Sequence, residues 1–422
     1  MKRIIIVCFF LLTSAASAQL TSSIQLGYTH DSNVFGNYAE VPDNYLSLNL
    51  NLDNYVGWDY SALDLSYSGG LSSYASYPEQ DNWNHSLNVN YAIQLSRAAD
   101  DPDNTGQAPV EDGGFSLPAD STETSLAFSG ALNRTVPHSG GFAVYASYNT
   151  EATAGLRLAL GQNSILRLRY GLNYTGYDQV TSLSNLENVG IGVVSFMPTR
   201  SVYFYLNGSI GSKKYYAVDT VSAAVKSLIN MHAQGRYKGK GKSGSQTGSS
   251  AKTYVLDSPS ASQATYGAGL NFDFGRWRAY GSLLLRRDLT GAARYIDAVA
   301  KLSAAQSEIY DDPYSYQGSE FGIGVRKDSL IAGISFSVKL NGANKDYSRP
   351  AFDTSQTVIV ANQRKDKFSD FAIGLSRDFP SGGFPAGYSV ALNYDHINNS
   401  SNDEFYRFTD DIVTLSLSVN LF

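Results

Sequence analysis

The strictest constraint on this chain is an alternation that runs far longer than a soluble strand needs. In Tyr45 to Asp53, YLSLNLNLD, leucine takes every second place (Leu46, Leu48, Leu50, Leu52) and Ser47, Asn49, Asn51 and Asp53 fill the gaps. A strand sends successive side chains to opposite faces, so the segment has one apolar and one polar side. The pattern returns in WNHSLNVNYAIQL (Trp83 to Leu95), SILRLRYGLNYT (Ser164 to Thr175), LIAGISFSVKLN (Leu330 to Asn341) and YSVALNYD (Tyr388 to Asp395). Soluble strands are usually about 5–6 residues long, whereas membrane strands need roughly 9–11 to cross. Polar faces built from Ser, Asn, Gly and charge make a poor dry core and a good wall for water. The leucines are therefore expected to face lipid and the asparagines a hydrated interior.

The first residues agree with export. MKRIIIVCFFLLTSAASAQ has a basic start (Lys2, Arg3), an apolar run from Ile4 to Leu12, and Ala16-Ser17-Ala18 before Gln19. That is the pattern of a secretory signal peptide over 1–18, cut after Ala18. Cys8 is the single cysteine of the chain, so the mature 19–422 has no thiol for disulfides, metal sites or nucleophilic catalysis. A net charge of -6 argues against nucleic acid as a partner. The expected destination is the bacterial outer membrane by the general secretory pathway, among its lipids and lipopolysaccharide.

The fold class expected is all-β: one antiparallel transmembrane barrel of about sixteen strands, within fourteen to eighteen. Expected strands include 44–56, 142–160, 164–178, 187–197, 319–327, 329–342, 367–378 and 408–422. Tight turns are expected around Trp58-Asp59, Gly161-Gln162-Asn163, Pro198-Thr199, Gly275-Arg276 and Lys327-Asp328. Long external loops are expected over 216–262, 291–318 and 343–366. The first two contain VSAAVKSLINMHAQ (Val221 to Gln234) and YIDAVAKLSAAQSEIY (Tyr295 to Tyr310), whose spacing predicts short helices. The basic Gly/Ser-rich 235–252 between them is expected to be a surface loop that can touch lipopolysaccharide. Residues 98–121 carry six acids and no Lys or Arg, and read as a flexible insert. They fall where a short turn is expected, so either the insert is real or the strand count there is off. Tyr45, Tyr55, Tyr174 and Tyr394, near strand ends, suit interfacial aromatic girdles.

The final strand, FTDDIVTLSLSVNLF, ends in Phe422 and resembles the signal read by the barrel-assembly machinery of Gram-negative outer membranes. Its phenylalanine stands one step out of phase with Val413, Leu415, Leu417, Val419 and Leu421. GYTHDSNVFGNY (Gly27 to Tyr38), followed by long tyrosine-rich strands, resembles the β-barrel porin-2 type. That resemblance implies an outer-membrane porin associated with exopolysaccharide.

Candidate lumen residues follow from phase. Arg157, Arg167 and Arg169 flank one turn on the polar side, with Arg157 nearly opposite Arg167. They either form a basic ladder for anionic solutes or pair with Glu151, Asp64 or Glu320. Tyr145, Tyr203 and Tyr205 either stack on sugars or fill space, and Lys339 shares the polar face of its strand. No Ser, His and acid set converges among His30, His85, His138, His232 and His396, so no enzyme, cofactor or metal site is expected. The expected function is a porin-like channel for polar solutes or exported polysaccharide. The alternative is a surface-interaction barrel with a plugged lumen. No residue pattern specifies an oligomeric state.

Overall fold

A computed structural model describes residues 19–95, 124–137, 146–161, 163–178, 184–199, 201–215, 260–289, 313–331, 333–352, 359–379 and 387–421. They form β1 (Gln19–Asp31), β2 (Asp43–Trp58), β3 (Ser61–Tyr74), β4 (Asn82–Gln94), β5 (Ser125–Pro137), β6 (Ser147–Ala159), β7 (Ser164–Tyr177) and β8 (Asn185–Thr199). The second half is β9 (Val202–Tyr215), β10 (Ser260–Phe274), β11 (Trp277–Asp288), β12 (Tyr316–Ile331), β13 (Ile334–Phe352), β14 (Ile359–Phe379), β15 (Tyr388–Ser401) and β16 (Phe408–Asn420). Each pairs antiparallel with its neighbour in sequence, and β1 closes on β16 from Ser23↔Asn420 to Asp31↔Ile412. The result is a closed barrel of sixteen strands, as the alternation predicts. Short 3-10 turns at Pro78–Gln80, Pro313–Ser315 and Glu404–Tyr406 are the helical elements among the described residues.

Register fixes the faces. Leu46, Leu48 and Leu50 pair with Tyr28, Leu26 and Ile24 on one side and with Ser73, Leu71 and Gly69 on the other. That phase points outward: Leu46 is 55% exposed, and Leu26, Leu168, Leu206, Ile323 and Leu415 are similarly bare. A continuous apolar belt of this kind would be a liability in water and is what a bilayer requires. Aromatic girdles close it at the rims. Phe274, Trp277, Phe379 and Tyr388 lie at the end with the short turns, where Phe379 and Tyr388 stack at 4.5 Å. Tyr148 and Tyr174 meet at 5.7 Å near the opposite end.

Tyr45 and Tyr55 do not join these girdles. They share the phase of Ser47, Asn49, Asn51 and Asp53 and therefore face the lumen. Their residue type suggested an interface; the period of two overrules it.

Short connections gather at one end, the turn end: 59–60, 160–163, 200–201, 275–276 and 332–333. Gly275 has φ +73°, the left-handed conformation that so tight a hairpin demands. Two turns move from their expected places. β8 continues through Pro198 and Thr199, and β12 continues past Lys327-Asp328 through an irregularity that puts Ser329 at φ 52°.

The expected loop 343–366 is also largely strand. β13 runs to Phe352 and β14 begins at Ile359, with Lys345↔Asp366 and Asp346↔Lys365 paired. Outward residues there are Asn344, Asp346, Lys365 and Lys367, so the ladder continues beyond the apolar belt and loses the apolar alternation that marks a membrane strand.

β4 and β5 leave the turn end side by side, Leu95 N donating to Thr124 O at 2.8 Å. The strand count around the acidic stretch 98–121 is therefore correct, and the stretch is an insert between adjacent strands. Residues 1–18, that insert, the spans 221–234 and 295–310 where helices are expected, the basic 235–252, Tyr145 and Phe422 lie outside the described residues.

Candidate functional site: the inner wall

Closing sixteen strands leaves an interior wide enough for water. Its lining is the phase opposite the leucines. Arg157, Arg167 and Arg169 are on it, with Arg157 directly across from Arg167, because the turn at 160–163 sets an even register. Arg157 is 6% exposed, while Arg167 and Arg169 are half-buried.

Arg167 Nη1 donates to the Tyr203 hydroxyl at 3.3 Å, two strands away. Tyr203 in turn lies 5.9 Å from Tyr205, ring centre to ring centre. Two candidates that phase could only place on the same face are thus in contact.

Glu320 is engaged elsewhere, taking Arg286 Nε at 3.0 Å and the Tyr316 hydroxyl at 3.0 Å. Asp64 accepts from Asn90 Nδ2 at 3.4 Å. Glu151 faces Asn173, nearer the loop end than the arginines. Lys339 lies in one inward row with Gly324, Ala372 and Asp395.

The wall is electrically lopsided. On β15, β16, β1, β2, β3 and β4 the inward phase carries Asp395, Asp410, Asp31, Asp43, Asp53 and Asp64, and no Lys or Arg. Halfway round the ring from β15 is β7, with Arg167 and Arg169, and halfway from β14, with Asp370, is β6, with Arg157. Asp395 and Asp370 thus stand across the ring from the three arginines, while Glu151 and Glu187 share the arginines' own side nearer the loop end. In a low-dielectric wall, charge so arranged imposes a transverse field on any solute between the arcs.

At the loop end a different arginine is built into the wall. Arg364 is 2% exposed, its guanidinium 3.9 Å from the Tyr347 ring centre and 3.4 Å from that of Tyr406. Its Nε donates to Asp366 Oδ1 at 2.9 Å, and Asp366 also accepts from Ser401 Oγ at 2.6 Å. No motif announces this cluster, which assembles from three strands and the turn at Glu404–Tyr406.

The histidine contacts point away from the lumen. His396 Nδ1 meets Asp411 Oδ1 at 2.8 Å, and His85 Nδ1 meets the Tyr67 hydroxyl at 2.9 Å, both on the outward phase. Asp395 lies on the other side of its strand from His396, as the alternation requires.

No protein-family model matches the sequence, and no curated protein matches it either. Among solved structures, the outer membrane protein OpdK of Pseudomonas aeruginosa is 10% identical over 95% of this chain and 99% of its own, with a TM-score of 0.45. OccAB3 of Acinetobacter baumannii is 10% identical over 96% and 99%, at 0.46. OprD of Pseudomonas aeruginosa is 8% identical over 96% and 97%, at 0.43. Likeness of this degree does not carry residue roles or solutes from one barrel to another.

Proposed function

We propose that the chain is an outer-membrane channel for small polar solutes, sorted by a field between a basic arc on β6–β7 and an acidic arc on β14–β3. The observation that supports it is the inner wall itself. A lumen needed only to hold a barrel in shape gains little from unlike charges kept half a circumference apart, where they cannot pair. A path for solute gains orientation and selectivity from them. The exopolysaccharide association implied by the sequence resemblance adds exported polysaccharide as a second occupant of the same lumen. Tyr203 and Tyr205 are the feature that favours it.

The test is conductance of the refolded protein in a planar bilayer. Discrete openings are expected, with a reversal potential in a salt gradient that shifts when Arg157, Arg167 and Arg169 are changed to Gln. If no openings occur, the channel reading fails and the barrel acts through its surface. Openings with a reversal potential indifferent to the three substitutions would leave a channel whose arginines serve the wall alone.

A further inference from the structure

Between β9 and β14 four inward positions of the wall are glycine. Gly267 and Gly269 on β10, and Gly322 and Gly324 on β12, all point inward. Neighbouring side chains lie down over them. A Cβ added at 269 would stand 2.2 Å from Cζ of Tyr205, one at 324 would stand 2.1 Å from Cε1 of Tyr280, and one at 267 would stand 2.1 Å from Oδ1 of Asn207. Each contact is closer than real atoms allow, so only glycine at these positions lets Tyr205, Tyr280 and Asn207 lie against the backbone.

Beside this floor is a cavity of about 440 Å³ walled by Tyr205, Asn207, Tyr316, Glu320, Asn341 and Phe368. Its size is within the range of small-molecule sites. Its charges are already engaged by the wall: Glu320 takes Arg286, and Lys345 Nζ sits 5.0 Å from the Tyr316 ring centre and 5.4 Å from that of Phe368. Asn341 Nδ2 donates to Asp370 Oδ2 at 3.0 Å, which fixes its amide plane.

We propose that this cavity is a subsite for neutral saccharide, a reading that rests on the channel proposed above and names one class of its cargo. A sugar ring has an apolar C–H face, which stacks on a flat tyrosine, and a rim of hydroxyls, which bond to planar amide and carboxylate groups. The cavity pairs those two surfaces. Tyr205 is the platform, and Asn207, Glu320 and Asn341 are the rim partners. A charged solute would have to compete with the Arg286–Glu320 pair already made, and a hydrocarbon would cover the amides of Asn207 and Asn341 without bonding to them.

The test is calorimetric titration of the detergent-folded barrel with maltohexaose, cellohexaose and laminarihexaose, beside single-channel recording with the same sugars. At least one hexaose is expected to bind and to interrupt the current. Tyr205→Ala should weaken that binding by about tenfold and Tyr205→Phe should retain most of it, since the stacking face survives. Gly269→Val, which lifts the ring, should weaken it with every polar partner still present. Heat-modifiable migration on gels verifies that each variant is folded. No heat from any hexaose on a folded barrel, or equal affinity in Tyr205→Ala, overturns the subsite. Binding without openings would overturn only the channel, and openings without binding only the subsite.

Discussion

Two groups of arginines share the inner phase of this barrel and do opposite things. Arg364 at the loop end is sealed between Tyr347 and Tyr406 with its counter-charge Asp366 on the same strand. Arg167 and Arg169, nearer the turn end, are half-buried, and the Tyr203 hydroxyl, a neutral group, accepts from Arg167. The residue type and the direction of the side chain are the same. What differs is whether neighbours neutralise the charge or leave its field in the water. The first kind stabilises the wall; the second, in the function proposed above, is available to act on a solute.

The sharpest way to break this contrast is Arg364→Leu. Asp366 would be left buried without its partner, a loss of about 3–5 kcal/mol in urea unfolding. Arg364→Leu with Asp366→Leu should recover most of it. A single variant as stable as the parent would mean that Arg364 belongs with the lumen arginines.

Next in size is a test of the faces. Leu48→Arg should cost roughly 2–4 kcal/mol, if near the bilayer midplane, whereas Asn49→Arg, one residue away and facing water, should cost far less. Equal costs would contradict the register.

The triple change of Arg157, Arg167 and Arg169 to Gln should move the reversal potential towards cation preference. At Arg167 and Arg169 stability should stay within about 0.5 kcal/mol. A large fall in stability from those two would mean that they too are structural.

The smallest effect concerns Asp178, just past β7. Its carboxyl is held below the usual carboxylate range by the hydrogen bonds that Arg134 donates to it, at 3.0 and 2.5 Å. The pair's contribution is therefore complete above the unfolded carboxyl's pKa of about 4 and is lost as pH falls through the lower folded value. Both side chains are more than a third exposed or close to it, so the contribution is only about 0.2–1 kcal/mol. Urea midpoints from pH 2 to 6 should show that slope in the parent and a flatter one in Asp178→Asn.

Much of the architecture was legible because a period of two specifies strand and face together. The Arg157–Arg167 juxtaposition was legible too, since a short turn fixes register. Phase was the better guide where it disagreed with residue type, as at Tyr45 and Tyr55. The long ends of β13 and β14 were hidden because Asn344, Asp346, Lys365 and Lys367 stand outward above the lipid, where nothing demands an apolar residue. The Arg167–Tyr203 bond and the Arg364 cluster were hidden for another reason. The first skips a strand, and the second gathers side chains of three consecutive strands and a turn, so each contact depends on side-chain reach rather than on phase. The glycine floor is intermediate. Gly267, Gly269, Gly322 and Gly324 share a phase in the sequence, but only the pairing of β9 to β13 puts Tyr205, Asn207 and Tyr280 over three of them.

The hydrogen bond between Leu95 and Thr124 makes the chain modular at that point. Strands β4 and β5 are already latched there, so the segment joining them can be shortened, lengthened or exchanged with no register to rewrite. The register of β4 against β5 is thus held by the wall on both sides of the segment that joins them.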